Sequence, residues 1–409
     1  MNFDDTPQEA EFRARARAWL DDNLPANWRD RTTTPPDIIA LSRDWQASKA
    51  DGGWACIGWP TEFDGQSATP MEEAIWAQEE GELGTLTSFP LMIGLGMSGP
   101  MLMVHGSDAQ KKKYLPPMLR ADKVWCQLFS EPGCGSDLAA VRTKAERDGD
   151  DWVVNGQKVW TSFAHFADHA ILLARTDPNV PKHKGLSFFV VDMKAPGVEV
   201  RPIRQMSGDA EFNEVYLNDV RIPDADRVGE VGEGWRVAMT VLMHERSGVA
   251  GADQFGFDNL LGQMENLQMD GAPAVENQAV RARLADFYVR ISGLENTNLR
   301  TLSALSRGEQ PGSEASISKL VMVEQLVEQT SLALDVQGMA GIMTNEAEAP
   351  AGGVHQFGYL RDLCMRIAGG TDEILRNTLA ERVLGLPPDL RIDKKAPFNE
   401  LPVSGSTQD

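Results

Sequence analysis

The period of the hydrophobic pattern changes twice along the chain, and these changes constrain the fold more than any other feature of the sequence. Up to about Asp122 the apolar residues recur at helical spacing, as in the amphipathic stretch from Phe12 to Trp19. A helix brings residues three and four positions apart onto one face. We therefore predict that residues 1–122 form a helical domain.

The middle of the chain has the pattern of short strands. Asn155 and Gly156 separate two apolar runs, a combination that typically marks the turn of a β-hairpin. Further apolar runs of strand length follow, bounded by Pro, Gly and Asp. Because strands with short connections pair antiparallel rather than through helical crossovers, we predict an antiparallel, β-barrel-like domain over residues 123–233.

The helical period returns in the last part of the chain. One apolar stripe with helical spacing contains Ile317, Leu320, Val323, Val327 and Leu334. Long stripes of this kind suit a four-helix bundle, which we predict for residues 234–390, followed by a loose polar tail at 391–409. The expected fold class is α+β, with helical, β and helical domains in that order.

Composition and charge disfavour several classes of function. The 409 residues include 39 basic and 60 acidic ones, so the net charge is −21. This charge disfavours nucleic-acid binding but not a locally basic pocket for a small anion. No apolar run reaches the ~18 residues needed to cross a membrane, and the N-terminus lacks a signal-peptide pattern. We expect a cytoplasmic protein that does not bind membranes, with its four cysteines as reduced thiols.

Three short motifs resemble functional sites without the surroundings that such sites need. Residues 94–99, GLGMSG, fit the dinucleotide-binding fingerprint but lie in a Met-rich helical stretch, so we interpret them as a helix packing site. Ser316-x-x-Lys319 resembles a serine-hydrolase pair but lies within an ordinary amphipathic helix. His165 and His169 have no third ligand nearby in the sequence, and we expect no bound metal.

A Gly-rich polar segment is the clearest sign of a ligand site. Residues 130–137, SEPGCGSD, precede the predicted hairpin, and Trp160 and Ser162 lie at its end. Small residues with available backbone N–H groups can approach a planar or phosphorylated ligand closely. Trp160 offers a stacking surface, and Ser162 offers a hydroxyl group. The alternatives are structural: Ser130 and Ser162 could cap a turn or a strand, and Trp160 could be a core aromatic residue.

These residues closely resemble the first signature of the acyl-CoA dehydrogenase family, in which a Ser/Thr-Glu-Pro-x-x-Gly-Ser-Asp segment precedes a Trp-x-Ser/Thr segment. The second family signature is matched by LDVQGMAGIM at 334–343 and RDLCMRIAGGTDEILRNTLAERVLG at 361–385. The resemblance extends over roughly residues 5–386. The family's helical, β and helical architecture agrees with the predicted domains, and the resemblance implies bound FAD.

The resemblance also assigns individual contacts by matching position. Around the flavin ring it implies Phe129, Ser130, Trp160 and Ser162. Elsewhere on FAD it implies four residues, the first two binding the ADP half from a neighbouring subunit: Gln337, Gly341, Thr371 and Glu373. On the substrate side it implies Ser136 at the CoA portion, with Arg246 and Gly370 beside the acyl-CoA.

The catalytic base departs from the commonest family pattern. Most members place it where this chain has Gly369, which has no side chain; the resemblance leaves Gly369 a backbone N–H that donates to the thioester oxygen. A minority, resembling the isovaleryl and long-chain dehydrogenases, places a Glu-Arg pair in the first long helix of the bundle. Glu245-Arg246 matches that pair.

Helical spacing supports Glu245 independently of the resemblance. Trp235, Ala238, Leu242 and Glu245 follow one another at intervals of 3, 4 and 3 residues. Glu245 is therefore expected on an otherwise apolar stripe. Burial on such a face raises the pKa of a carboxyl group and strengthens it as a base. The alternative is that Glu245 forms a buried structural ion pair.

Two further departures concern the cofactor and the acyl chain. Many members bind the FAD pyrophosphate with an Arg-x-x-Phe-Gly segment, but the corresponding region here, 264–287, has neither the Phe-Gly nor an Arg before it. Arg281 or Arg283 could substitute. Residues 368–370, Ala-Gly-Gly, replace a Tyr-Glu pair of many homologues. These small residues predict room for a branched, bulky or long acyl chain.

The resemblance implies one activity, and two alternatives stay open beside it. The implied activity is FAD-dependent dehydrogenation of an acyl-CoA to the trans-2-enoyl-CoA, by proton abstraction by a Glu and hydride transfer to flavin N5. It further implies electron-transferring flavoprotein as the electron acceptor, a homotetramer or homodimer, and a place in fatty acid and lipid metabolism. The alternatives are a flavin oxidase or monooxygenase of the same fold acting on a non-CoA substrate, and a non-catalytic subunit of a hetero-oligomer.

Overall fold

The computed structural model describes most of the chain: residues 5–25, 38–81, 89–249, 257–269, 271–307, 309, 312–313, 316–345, 347–388 and 393–401, without the side chains of 246–249 and 305–306. Its contacts define two compact units. The first contains Met1–Ile203, Ala210–Glu245 and Leu390–Asp409, and the second contains Arg204–Asp209 and Arg246–Asp389. The N-terminal helices, most of the β domain and helical residues 234–245 lie in the first unit, and the later C-terminal helices lie in the second.

Among the described residues before the sheet there are five α-helices: α1 Pro7–Asn23, α2 Ile38–Asp51, α3 Pro70–Gly81, α4 Gly99–His105 and α5 Asp108–Leu119. Capping boxes start α1 at Thr6 and α5 at Ser107, where each hydroxyl accepts the N3 backbone N–H. Ile93–Ser98 forms a π-helical turn before α4. A side chain at Gly99 would collide with the Trp59 ring. Residues 94–99 are therefore a helix packing site, as predicted.

The β domain is one sheet of eight strands: β1 Trp125–Leu128, β2 Lys144–Asp148, β3 Asp151–Ser162, β4 His169–Arg175, β5 Leu186–Asp192, β6 Val198–Pro202, β7 Phe212–Pro223 and β8 Arg227–Val228. Their order is β6-β7-β3-β2-β4-β5-β8, with β1 added beside β4. Most pairs are antiparallel as predicted, but β4 pairs parallel with β1 and β2. The described strands run as an open path from β6 to β8, so the sheet resembles a barrel without closing.

The predicted hairpin is displaced by a few residues. β2 and β3 pair from Lys144–Asn155 to Asp148–Asp151, so the chain turns between Asp148 and Asp151. Gly156 instead lies inside β3, at a shift of register against β7. An added Cβ there would lie 2.8 Å from the Thr143 Cα atom. The Asn-Gly pair therefore marks a bulge and a close approach of two backbones rather than a turn.

The strand β4 separates two hydrophobic clusters. Ile171 and Leu173 pack with the N-terminal helices and the first part of α6, whereas Leu172 and Ala174 pack against the apolar side chains of β3 and β7. This alternation is the period of two that a strand imposes. Because both faces are covered, β4 carries an almost continuous apolar run.

The described part of the C-terminal segment is docked, which corrects the expectation of a loose tail. Phe398 is 5% exposed, and the Arg175 guanidinium lies 3.7 Å from the centre of its ring. Lys182 bonds Asp137 and Asp393 together. The cation–π contact of Phe398 with Arg175 and the bonds of Lys182 to both aspartates therefore hold residues 393–401 on the β domain.

The remaining helices confirm the predicted α+β class and the helical C-terminal domain: α6 Gly234–Val249, α7 Phe257–Asn266, α8 Gln278–Ser306, α9 Ser316–Gln337, α10 Val354–Arg361 and α11 Asp372–Arg382. A short hairpin, β9 Gln268–Met269 with β10 Ala272–Pro273, lies between α7 and α8. In the second unit α9 packs against α7, α8, α10 and α11. The boundaries of the three domains stay predictions. No helix within the described ranges is long and apolar enough to cross a membrane.

One buried acid in the second unit has no compensating hydrogen bond. Asp362 is fully buried, and neither of its carboxylate oxygens has a hydrogen-bond partner among the described residues. Arg361 Nη1 lies 4.0 Å from Oδ1. Burial raises the pKa of Asp362 to about 6. The folded state therefore favours the protonated acid.

The Asp362→Asn substitution is expected to stabilise the protein in a pH-dependent manner. Folding raises the pKa of Asp362, so protonation of this group stabilises the folded state. This stabilisation is complete below the pKa that Asp362 has in the unfolded chain, and it is lost as the pH rises to about 6. Asn should therefore raise the free energy of unfolding by about 1–3 kcal/mol at pH 8 and leave it nearly unchanged at pH 4. Urea unfolding at both pH values measures this, with exposed Asp44→Asn as the control. An equal change at both pH values would contradict the assignment.

Candidate active site

The segment after β1 is tied to the sheet by a buried ion pair. Lys158 of β3 is fully buried, and its ammonium group donates to Phe129 O at 3.0 Å, Leu173 O at 2.9 Å and Glu131 Oε1 at 2.8 Å. Glu131 also accepts the backbone N–H groups of Arg142 and Thr143. Burial raises the pKa of Glu131, but Lys158 and these donors lower it below its usual value overall. The carboxylate is therefore held ionised inside the protein.

Sequence reasoning missed this pair. Lys158 stands between Gln157 and Val159 in a predicted strand, and charged residues are ordinarily assigned to the solvent face.

Trp160 is exposed, so the interpretation as a core aromatic residue is wrong. It lies at a shift of register between β3 and β7, its φ is 60°, and 59% of its surface is accessible. A left-handed backbone is unfavourable for a bulky residue and is typical of bulges that re-aim a side chain. The bulge therefore presents a large aromatic surface that the core does not use.

The other predicted residues of the first unit lie along the same two segments. The backbone N–H of Val159 donates to Ser130 O at 2.9 Å, which places Ser130 beside the strand residue before Trp160. Phe129 is buried edge-on against Phe188, and Ser162 ends β3 half-buried. Ser136 is exposed in the Gly-rich turn. The structure thus brings Phe129 and Ser130 together with the strand that carries Trp160 and Ser162.

Glu245 lies on α6 where its buried face ends. Val237, Ala238 and Val241 of α6 are fully buried, and Trp235 and Leu242 pack partly against the same cluster. Glu245 follows Val241 by one helical turn and is half-buried. The predicted apolar stripe is therefore present as far as Glu245. The side chain of Arg246 lies outside the described residues.

The glycine loop of the second unit connects the turn at 362–366 to α11. Gly369 and Gly370 have φ values of 63° and 96°, which disfavour any residue with a side chain. Thr371 caps α11 by accepting the Ile374 N–H at 3.2 Å, and Glu373 is exposed in the first turn of α11. Thr371 is therefore the N-cap of α11 as well as a residue that the family resemblance places near the cofactor.

Gln337 lies at the C-terminal end of α9 and lines a cavity of about 390 Å³. Its Oε1 accepts Gln356 Nε2 at 2.9 Å, whereas its buried Nε2 has no partner among the described residues. Gly341 follows in a 3-10 turn, where a Cβ would lie 2.7 Å from Leu334 O. A buried amide donor at a cavity wall suits a polar ligand.

The lining of this cavity does not suit a diphosphate. Besides Gln337, the described lining residues are neutral or acidic: Asp258, Asn259, Gly262, Gln263, Asn266, Leu267, Pro350 and Ala351. Arg283, one of the two possible substitutes, donates to Glu328 O at 3.1 Å, and Arg281 is exposed. The chain therefore offers the ADP half of FAD an amide donor but no described cation in this cavity.

The described residues also contain no group of three or more potential metal ligands. His165 Nδ1 lies 3.1 Å from Asn213 Oδ1, and His169 packs against the rings of Tyr114 and Trp125. Both histidines therefore have structural partners.

Comparison with known proteins agrees with this architecture. Family models match all three parts of the chain: the acyl-CoA dehydrogenase N-terminal domain at residues 6–122, the middle domain at 126–220 and the C-terminal domain at 232–384. The acyl-CoA dehydrogenase IpdE1 of Mycolicibacterium smegmatis is 36% identical over 396 residues, covering 93% of this chain and 98% of IpdE1. The chain belongs to the acyl-CoA dehydrogenase family, a family of flavoproteins, and is an oxidoreductase that acts on CH–CH bonds.

Two further relatives bear on the later proposals. The acyl-CoA dehydrogenase FadE34 of Mycobacterium tuberculosis is 38% identical over 354 residues, covering 86% of this chain but only 47% of FadE34. The chain thus spans about half the length of that relative. A solved structure named the Tcur3481-Tcur3483 steroid ACAD has a TM-score of 0.80 and 30% identity, covering 95% of this chain and all of that chain.

The Lys158→Met substitution is expected to destabilise the first unit and to weaken flavin binding. It would leave Glu131 as a buried, uncompensated carboxylate, which typically costs about 3–5 kcal/mol. It would also remove the Lys158 bond to Phe129 O, leaving the Val159 N–H bond to Ser130 O as the link between this segment and β3. Urea unfolding and flavin retention on gel filtration measure the two effects. The double variant Lys158→Met/Glu131→Gln should recover part of the stability. Lys144→Met, at an exposed ion pair, is the control; a similar loss in the control would argue against the interpretation.

Proposed function

We propose that this chain binds FAD and dehydrogenates an acyl-CoA between its α and β carbons, with Glu245 as the base that removes the α proton. The observation that carries the proposal is the position of Glu245, half-buried one turn after the fully buried Val241. A glutamate in this position can serve as a general base.

The residues of the first unit suit the flavin ring. Trp160 offers an exposed aromatic face, and Ser130 and Ser162 offer hydroxyl groups on adjoining segments. The Phe129 carbonyl already accepts Lys158, so the backbone group of Phe129 proposed for the flavin is its N–H. When bound, FAD supplies the acceptor for the hydride that leaves the β carbon.

In the second unit Gln337 and Gly341 would hold the ADP half of FAD across the boundary with a neighbouring subunit, with Thr371 and Glu373 near the cofactor. The unpartnered Nε2 of Gln337 supports this assignment. The described lining of the cavity is acidic or neutral, so it suits the pyrophosphate of the ADP half poorly. The two negative charges of the pyrophosphate need cations from elsewhere.

The thioester is activated by a hydrogen bond and deprotonated by a carboxylate. The Gly369 N–H would donate to the thioester oxygen, where negative charge develops as the α proton leaves. Glu245 takes that proton, and the electrons of the α C–H bond form the double bond as the β hydrogen departs. Ser136 would contact the CoA portion, with Gly370 and Arg246 beside the acyl-CoA.

We further propose a bulky or cyclic acyl group as the substrate. Residues 368–370 have little side-chain volume, and one structural relative is named a steroid ACAD. Met97 and Met101, which could have formed a pliable acyl pocket, are fully packed in the helical core. The proposal therefore depends on the small residues and on the relative.

The Glu245→Gln substitution separates proton abstraction from binding. Gln keeps the shape and hydrogen bonding of the side chain but cannot accept the proton, so flavin reduction by acyl-CoA should slow by at least about 10²–10⁴-fold. FAD content and acyl-CoA binding should be retained. Stopped-flow absorbance under anaerobic conditions measures the rate, with exposed Glu233→Gln as the control. A Glu245→Gln enzyme that reduces its flavin at the wild-type rate would eliminate Glu245 as the base.

A second candidate is that the chain is one subunit of a hetero-oligomer. Two observations favour it: the Gln337 cavity has no described basic residue, and the name of the steroid ACAD joins two designations. The assembly that we propose in place of the hetero-oligomer is a homotetramer or homodimer that passes its electrons to electron-transferring flavoprotein.

Flavin stoichiometry distinguishes these assemblies. For the homo-oligomer we expect the chain purified alone to contain one FAD per chain, by absorbance and light scattering, since another copy of the same chain then supplies the ADP-binding residues of each site. A chain that takes up no FAD until a different subunit is added would instead support the hetero-oligomer. Rapid reoxidation of the reduced flavin by O₂ would favour an oxidase over both.

A further inference from the structure

A buried lysine of α9 fastens both ends of the glycine loop. Lys319 is 6% exposed, and its ammonium group donates to Arg366 O at 3.3 Å, Gly370 O at 3.0 Å and Asp372 Oδ1 at 3.3 Å. The glycine loop contains residues 367–371, so these acceptors lie just before it, within it and just after it. A lysine ammonium has three donors, and all three are used here.

The charge of Lys319 is compensated inside the protein. Asp372 is 5% exposed, and its other oxygen accepts Arg366 Nε and Nη2, each at 2.8 Å. Burial lowers the pKa of Lys319, and Asp372 opposes that shift only in part. A buried ion pair of this kind contributes little net stability compared with apolar residues of similar size. Stability alone therefore does not account for a lysine at this position.

The loop itself has little means of fixing its conformation. Gly369 and Gly370 have no side chains to pack, and both adopt left-handed φ values that glycine reaches freely together with many others. A backbone N–H that stabilises developing charge must nevertheless be held close to one geometry. An anchor from outside the loop meets this requirement, and Lys319 occupies that position.

We infer that Lys319 is a positioning residue for thioester activation: its three hydrogen bonds hold the glycine loop so that the Gly369 N–H meets the thioester oxygen. This inference rests on the role proposed above for Gly369. It also accounts for the Ser316-x-x-Lys319 motif without hydrolase chemistry, since the lysine binds loop carbonyls and a carboxylate.

The test isolates proton abstraction from hydride transfer. The probe is an acyl-CoA with a quaternary β carbon, such as 3,3-dimethylbutanoyl-CoA or a bulkier analogue, which has α protons but no β hydrogen to lose. The flavin-loaded enzyme is incubated with it in D₂O, and α-deuterium incorporation is followed by mass spectrometry. The variants are Lys319→Met, Lys319→Arg and, as a matched control, Lys49→Met, which removes an equally buried lysine paired with Glu80 in the N-terminal helices.

We expect Lys319→Met to slow α-deuterium exchange by about 10²-fold, the effect of a small misplacement of a catalytic group, with its FAD content unchanged. Lys319→Arg keeps the charge, but its planar guanidinium cannot reach all three converging acceptors. We therefore expect its α-deuterium exchange to be slower than that of the wild type but faster than that of Lys319→Met. If Lys319→Met folds poorly, α-deuterium exchange in Lys319→Arg tests the inference instead. Lys49→Met should exchange at the wild-type rate.

Two results would overturn the inference. One is wild-type exchange in both Lys319 variants; the other is an equal loss in Lys49→Met, which would indicate a general effect of removing a buried charge. Failure of the proposed function is distinguishable, because the wild-type enzyme itself would then neither exchange the α proton nor reduce its flavin with acyl-CoA.

Discussion

The buried ammonium group of Lys158 is the interaction on which the proposed flavin site depends. It joins Phe129 O, Leu173 O and the Glu131 carboxylate, so one side chain connects β3 and β4 to the segment after β1. The bulge that exposes Trp160 begins directly after Lys158. A strained, exposed aromatic residue keeps one orientation only if its flanks are fixed, and the ion pair fixes one of them.

The second unit repeats the same solution with different residues. Lys319 donates to two backbone carbonyls and one carboxylate, as Lys158 does. In both places a compact cation with three donors holds a segment rich in small or polar residues, which has little apolar surface of its own. Full satisfaction of the three donors makes such a buried charge tolerable. In both units a segment proposed to bind ligand is thus held by a buried lysine side chain.

Much of the fold could be predicted from the sequence, because the hydrophobic period reports which face of an element is buried. It predicted the helical, β and helical order and the apolar face of α6 that ends at Glu245. It failed where local signals have two meanings: Asn155-Gly156 marks a bulge in β3, since glycine serves turns and close backbone approaches alike. It also failed for Lys158, since a buried charge is recognisable only when its partners, distant in sequence, are known. The docking of Phe398 under Arg175 was missed for the same reason.

We propose that this chain oxidises the Cα–Cβ bond of an acyl-CoA with bound FAD. Anaerobic mixing of the purified, flavin-loaded protein with straight, branched and cyclic acyl-CoA thioesters tests it most directly, with flavin absorbance and enoyl-CoA formation followed together. We expect one enoyl-CoA to form for each flavin bleached, and bleaching to be fastest with a bulky or cyclic acyl group. A flavin that no acyl-CoA bleaches, or that only a non-CoA substrate reduces, would contradict it.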